Sequence, residues 1–176
     1  MSTTYDDLIS FHGHNCPGLA IGYRMTKAAM DFLVSSPATD KKLVAIVESI
    51  SCGVDALQYL SGCTFGKRNL IFKDYGKQVY TLYDRDTKQS ARVVFNARNM
   101  PKDIAQDREQ LIKWLLTAPD DDILSLREVH IDEPEQARIM ETVVCESCGE
   151  SVMATRVKKL NDITVCIPCF EKDKAI

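Results

Sequence analysis

Residues 11–24 read Phe-His-Gly-His-Asn-Cys-Pro-Gly-Leu-Ala-Ile-Gly-Tyr-Arg, so two imidazoles and a thiol come directly before a helix signal. Pro17 suits the first position of a helix, and the apolar residues after it predict a helix over Pro17–Val34. Cys16 is then the predicted N-cap, where its sulfur faces the positive end of the helix dipole. This stretch therefore predicts a reactive or metal-binding thiol at the start of a long helix.

His12, His14 and Cys16 are the candidate donors of this stretch. If the segment is extended, the three side chains share one face, because side chains of an extended chain alternate. A thiolate beside imidazoles is a nucleophile or a metal ligand, and mixed His and Cys ligation suits zinc and other late first-row metals. Three uses stay open: a catalytic pair of Cys16 and His12, a metal site, and a polar loop with an inert thiol.

A second thiol has a similar setting. Leu43–Ile50 is predicted to be a strand and Gly53–Leu60 a short helix, so Cys52 lies near a helix N-terminus. Cys63 follows the end of that helix, and cysteines at these element ends can converge with the first donors on one pocket.

Asp55 and Lys67 are further candidates for binding a cofactor or substrate, as is Cys63. Asp55 is either a first-turn partner of the helix dipole or a pocket residue. Lys67, in a turn, is either solvated or holds an anionic substrate. Cys63 is either part of the pocket or a structural thiol.

The remaining pattern mixes helices and strands. Residues 69–74 and 78–83 are β-rich and are joined through Tyr75-Gly76-Lys77, which indicates a hairpin. A helix is predicted over Pro101–Thr117, with proline in its first position. The other predicted elements are helices over Thr3–Phe11 and Asp121–Leu126 and strands over Ala91–Ala97 and Arg127–Ile131. The sequence therefore predicts an α+β fold with a mixed or antiparallel sheet.

Four cysteines near the C-terminus form two Cys-x-x-Cys pairs that enclose 17 residues. This spacing is typical of zinc sites, because two sulfurs at one tight turn and two at another complete a tetrahedral shell. Four thiolates leave no open position, so the predicted zinc is structural. The predicted ligands are Cys145, Cys148, Cys166 and Cys169.

We predict three segments: a core domain over residues 1–131, a linker over 132–142 and a zinc module over 143–176. The linker region is rich in Asp and Glu and contains Pro134. From residue 143 onward the module has five basic and five acidic residues, so it lacks the charge of a DNA-binding module. A protein-contact or dimer-stabilising role is the better expectation for it.

Composition excludes several classes of protein. With 176 residues, 45% hydrophobic and 27% charged, the chain can bury a core and is not intrinsically disordered. The net charge of −3 argues against nucleic acid as the main partner. No apolar run is long enough to span a membrane and no signal peptide is visible, so a cytoplasmic location is expected.

Residues 11–24, 47–58, 61–70 and 73–77 together resemble blocks of the FmdE family, named for one of the subunits of formylmethanofuran dehydrogenase. The resemblance is close over roughly residues 5–100. The C-terminal module is similar to the treble-clef or zinc-ribbon fingers that some members carry. The resemblance implies an α+β core, a homodimer and a metal-binding groove near the dimer interface. The ligands that it implies are His14, Cys16 and Cys52, with His12, Asp55, Cys63 and Lys67 as neighbours.

The parent reaction of that family's namesake reduces carbon dioxide onto methanofuran in a molybdenum or tungsten complex. This sequence shows no pterin-binding domain and no ferredoxin-type cysteine run. The resemblance therefore implies an accessory metal-binding subunit or partner of such an oxidoreductase, with a second metal, zinc or another late first-row ion, in the core. Two alternatives stay open: a stand-alone thiol- or metal-dependent enzyme, and a zinc-finger regulatory protein.

Overall fold

The computed structural model describes residues 4–34, 42–136 and 138–174, the last two of them by their backbone alone. The chain divides into two units, Met1–Gln136 and Ala137–Ile176. The predicted segment boundaries at 131 and 142 stay predictions, and the predicted helix start at Thr3 lies outside the described residues.

The first unit is a five-stranded sheet covered by helices. Its strands lie in the order β2-β1-β3-β4-β5, with β1 and β2 parallel and the other neighbours antiparallel. This mixed sheet confirms the α+β prediction. Its elements are α1 Tyr5–His12, α2 Pro17–Leu33, β1 Leu43–Val47, α3 Gly53–Ser61, β2 Leu70–Phe72, β3 Val79–Asp84, β4 Ser90–Phe95, α4 Arg108–Thr117, α5 Asp120–Ile123 and β5 Leu124–Glu128.

The main core lies between this sheet and α2 and α3. Met25, Ala29 and Leu33 recur along one face of α2 at helical spacing and are buried. They belong to one cluster with strand residues such as Leu82 and Val93, which alternate with residues on the other face of the sheet. The sheet and α2 therefore form the rigid base on which the chain before Pro17 and the chain after Val47 are held.

The predicted hairpin through residues 75–77 was wrong. β2 does not pair with β3, because β1 lies between them. The connecting turn instead folds over the end of β1, where the carbonyl of Glu48 accepts the N–H groups of Tyr75 and Lys77 at 3.1 and 3.0 Å. The turn residues were read correctly, but the partner of their hydrogen bonds is a strand distant in sequence.

Two further boundaries differ from the prediction. The helix predicted from Pro101 begins at Arg108, because the Asp107 side chain caps it by accepting the N–H groups of Glu109 and Gln110. The last strand begins at Leu124 rather than Arg127, because Leu124 and Leu126 alternate into the core.

The second unit consists of two short antiparallel ribbons and a helix. β6 Thr142–Val144 pairs with β7 Ser151–Met153, and β8 Val157–Leu160 pairs with β9 Ile163–Cys166. The terminal helix α6 spans Ile167–Lys174. Its buried cluster contains only Cys145, Val165 and Cys166 among the described residues, so the apolar core is small. A metal is the natural source of folding free energy for a unit of this kind.

No helix in the described parts of the chain is long and apolar enough to cross a membrane.

Candidate functional site

Four side chains of the first unit meet at one point, which we call the core cluster: His12, His14, Cys16 and Cys52. One donor atom from each lies within 4.8 Å of the others. Cys16 is buried, His12 and Cys52 are partly buried and His14 is exposed. The cluster is therefore an edge site, closed by protein on the cysteine side and reached by solvent at His14.

The end of α1 brings the two histidines to the cluster. The helix continues through His12 and ends at Gly13, which has φ +93° and donates its N–H to Ile9 O at 2.8 Å. Glycine suits this left-handed conformation because it has no Cβ. The extended segment predicted from His12 to Cys16 was therefore wrong: the chain reverses at Gly13, and this turn brings the imidazole rings to a centroid distance of 4.5 Å.

Cys16 is the N-cap of α2, as the sequence predicted. Its backbone is extended and its sulfur accepts the N–H of Leu19 at 3.3 Å. That N–H is one of the donors left without a partner inside a helix, so the bond stabilises negative charge on sulfur. The preceding residue is also held in place, because Asn15 accepts the Tyr5 hydroxyl at 2.9 Å and the Arg108 guanidinium at 2.5 Å.

A close crossing of α2 and α3 brings Cys52 to the same point. A Cβ on Gly22 would lie 2.3 Å from Gly53 Cα and 2.2 Å from its carbonyl oxygen, so only glycine permits this approach. One turn earlier, a Cβ on Gly18 would lie 3.8 Å from Cys52 Sγ and 3.9 Å from Cys16 Sγ. Our sequence reasoning gave these glycines no structural role, although their four-residue spacing along α2 was a signal for close packing.

Asp55 holds His12 in a defined orientation. Asp55 Oδ2 lies 2.7 Å from His12 Nδ1, and His12 Nε2 lies 3.8 Å from Cys16 Sγ. The carboxylate therefore binds the far nitrogen of the ring and leaves Nε2 for the cluster. Carboxylates hold metal-binding histidines in this way, and they also orient the base in a catalytic triad.

Burial affects the groups that surround the two sulfurs. It raises the pKa of Cys52, and the neighbouring Cys16 sulfur raises it further. Burial and the charge of Cys16 also raise the pKa of Tyr5 to about 12. Two thiolates side by side repel each other, and a bound divalent cation removes that repulsion by keeping both deprotonated.

Cys63 and Lys67 do not join the cluster. Cys63 is fully buried, and its thiol donates to Leu43 O at 3.3 Å, at the opposite end of β1 from Cys52. Burial raises its pKa to about 11, which keeps it protonated. Lys67 Nζ donates to the carbonyl of Gly62 at 2.9 Å. Of the three residues considered for cofactor or substrate binding, only Asp55 touches a member of the cluster.

The four C-terminal cysteines form a second cluster with one sulfur from each within 4.8 Å of the others. Gly149, with φ +76°, turns the chain after the first pair and donates its N–H to Cys145 O at 2.9 Å. The N–H groups of Cys148 and Cys166 lower the pKa of Cys145 to about 6. This arrangement is typical of a structural zinc site.

Comparison with known proteins agrees with this geometry. Residues 11–125 match a family model described as FmdE, molybdenum formylmethanofuran dehydrogenase operon. The chain belongs to the FmdE family. Residues 138–175 of this FmdE protein match a second model, the prokaryotic dksA/traR C4-type zinc finger. The family and the C-terminal finger expected from the sequence are thereby both confirmed.

A solved structure supports the fold of this FmdE chain. It is similar, with a TM-score of 0.75 and 29% identity, to a tungsten formylmethanofuran dehydrogenase FmdE-like protein from Syntrophus aciditrophicus. The match covers 97% of this chain and 94% of that one.

A longer curated protein is also similar to it. The FmdE chain is 30% identical to a probable S-adenosyl-L-methionine-binding protein from Archaeoglobus fulgidus over 90% of its own length. It spans about half of that relative, 50% of its length.

Proposed function

We propose that this FmdE-family protein binds one late first-row divalent metal in its core and serves as an accessory metal-binding partner of a molybdenum or tungsten formylmethanofuran dehydrogenase-type system. The core ligands in this proposal are His12, His14, Cys16 and Cys52. The C-terminal cysteines hold a separate structural zinc.

The convergence of two imidazoles and two thiols within 4.8 Å carries the proposal. Two thiolates cancel the charge of a divalent ion, and two neutral imidazoles complete a tetrahedral set that suits zinc and its neighbours. The ion pair of Asp55 and His12, at 2.7 Å, fixes which ring nitrogen faces the metal.

His14 is the exposed ligand of the proposed site, whereas Cys16 is buried beneath α2. The buried sulfurs would hold the ion, and the departure of His14 would open one coordination position. When bound, the metal supplies Lewis acidity or a site for exchange with a partner protein. The chain's own contribution is to keep two thiolates and one oriented imidazole together.

The accessory role rests on the family description and on the solved FmdE-like relative, both of which refer to formylmethanofuran dehydrogenase. Co-purification tests it: the tagged chain, expressed at its native level in its own cells without oxygen, should retain a large molybdenum- or tungsten-containing subunit. The Cys16→Ser variant reports whether the core cluster takes part. Isolation of the wild-type chain alone would contradict the accessory role and leave the metal site to be tested separately.

The line of contacts from Asp55 through His12 to Cys16 favours a second candidate, a thiol-dependent enzyme. An oriented imidazole 3.8 Å from a thiol can accept its proton. Alkylation of Cys16 in metal-depleted protein, followed by mass spectrometry, tests this. Asp55→Asn should slow the modification about tenfold or more if His12 activates the sulfur. An unchanged rate would exclude a base oriented by Asp55.

A further inference from the structure

A groove lies where β4 ends and β5 begins, and we call it the β4–β5 groove. It encloses about 380 Å³, which is within the range of sites for small ligands. Its lining residues are Val94, Phe95, Asn96, Arg98, Ser125 and Arg127.

The lining contains two guanidinium groups and no carboxylate. The Arg98 and Arg127 side chains make no ion pair or hydrogen bond with any residue that the structure describes. Arg92 lies directly opposite Arg127 in the strand register, but its charge is matched by Glu48 at 2.5 and 3.2 Å. The positive charge of Arg98 and Arg127 is therefore available to a ligand, because the nearest buried carboxylate is already used.

Two polar side chains add hydrogen-bonding capacity. Asn96 Oδ1 accepts the backbone N–H of Arg98 at 3.0 Å, which orients the amide. Its two amide N–H groups and the Ser125 hydroxyl have no partner among the described residues. The groove thus offers charged and neutral donors together, which is the combination that recognises a carboxylate or phosphate.

Val94 and Phe95 supply the apolar part of the lining. Both are partly exposed, so a ligand with a small apolar portion would cover carbon surface as well as neutralise charge. A bare inorganic ion would use only the donors.

The groove is separate from the core cluster. Val94 pairs with Ser125, and their side chains alternate with Val93 and Leu124, which pack in the core beneath α2. Most of the lining is therefore on the face of the sheet that points away from α2, whereas the cluster lies at the N-terminal ends of α2 and α3.

We infer that the β4–β5 groove binds a small organic oxyanion, a carboxylate or a phosphate ester with an apolar portion, through Arg98 and Arg127. This inference goes beyond the proposed metal site and does not depend on it. The two guanidinium groups give the charge selectivity, and Phe95 and Val94 give the preference for an organic anion over inorganic phosphate.

Titration of the ¹⁵N-labelled full chain with phenyl phosphate, phenylacetate and phenol tests this inference. Saturable amide shifts should centre on residues 94–98 and 125–127 for one or both anions, and phenol should cause none. A stronger response to phenyl phosphate would identify a phosphate site, and a stronger response to phenylacetate a carboxylate site.

Substitutions make the test specific. Arg127→Gln and Arg98→Gln should each weaken binding about tenfold or more, as expected for loss of a charged hydrogen bond. Arg68→Gln is the matched control, because it removes the same charge from an exposed site shortly before β2, at the far edge of the sheet. Shifts centred on residues 12–16, equal binding of phenol, no saturation, or equal weakening by Arg68→Gln would each overturn the inference.

Discussion

Replacing Gly22 with alanine tests whether the helix crossing sets the geometry of the core cluster. The new Cβ would lie 2.3 Å from Gly53 Cα, whereas carbon atoms in contact need about 3.5–4.0 Å. Backbone cannot rotate aside, so α2 and α3 must separate by about 1 Å near this point. Cys16 lies on one side of the crossing and Cys52 on the other, so their sulfurs should move apart.

The size of this movement decides the result. Metal–sulfur bonds are about 2.3 Å long and tolerate about 0.2 Å, so a separation of about 1 Å removes one ligand. The stability cost of overpacking, about 1–3 kcal/mol, is partly offset by the gain of about 1 kcal/mol from alanine in a helix. We therefore expect Gly22→Ala to remain folded and to lose core-metal affinity.

Competition with a chromophoric chelator measures the effect. Gly22→Ala should weaken the core site about tenfold or more and leave the C-terminal zinc unchanged. Gly66→Ala is the control, because a Cβ there meets no atom within 4 Å. Core affinity close to that of wild type in a folded Gly22→Ala protein would refute the claim that this crossing sets the site.

Three more predictions follow from particular contacts. Asp55→Asn should lower core-metal affinity about 10–100-fold in the same chelator assay, because the His12 ring loses its anchor. Arg92→Met should lower the free energy of unfolding in urea by about 3 kcal/mol, because it leaves Glu48 buried and unpaired. Lys88 and Arg85 hold the pKa of Glu133 below its ordinary 4.5, so this stabilisation is full above pH 4.5 and is lost as pH falls through the lowered value. Glu133→Gln should therefore lower the melting temperature at about pH 7 but not near pH 2.

Local rules predicted the half of the core cluster that lies within a few residues of Pro17. Proline at the first helical position and a cysteine before it were enough to place Cys16 as the N-cap of α2. The position of His12 was missed by a single residue, because the helix ends at Gly13 rather than before the histidine. Near a helix end, one residue decides whether a side chain belongs to the last turn or to the loop.

The other half of the cluster depends on contacts that are distant in sequence. Cys52 comes beside Cys16 only because Gly22 and Gly53 allow two helices to touch. Cys63, which looks similar in the sequence, is instead buried at the other end of β1, where its thiol donates to Leu43 O. The spacing of cysteines did not separate these two cases, because it contains no information on which ends of the sheet they occupy.

Metal content per chain, measured on protein purified without oxygen and without added metal, tests the central claim most directly. The account predicts two metals per wild-type chain, zinc in the C-terminal cluster and one ion in the core. Cys16→Ser should retain one, and the matched Cys63→Ser variant should retain both, because Cys63 lies outside the cluster. One zinc per chain in all three proteins would contradict the proposed core metal site.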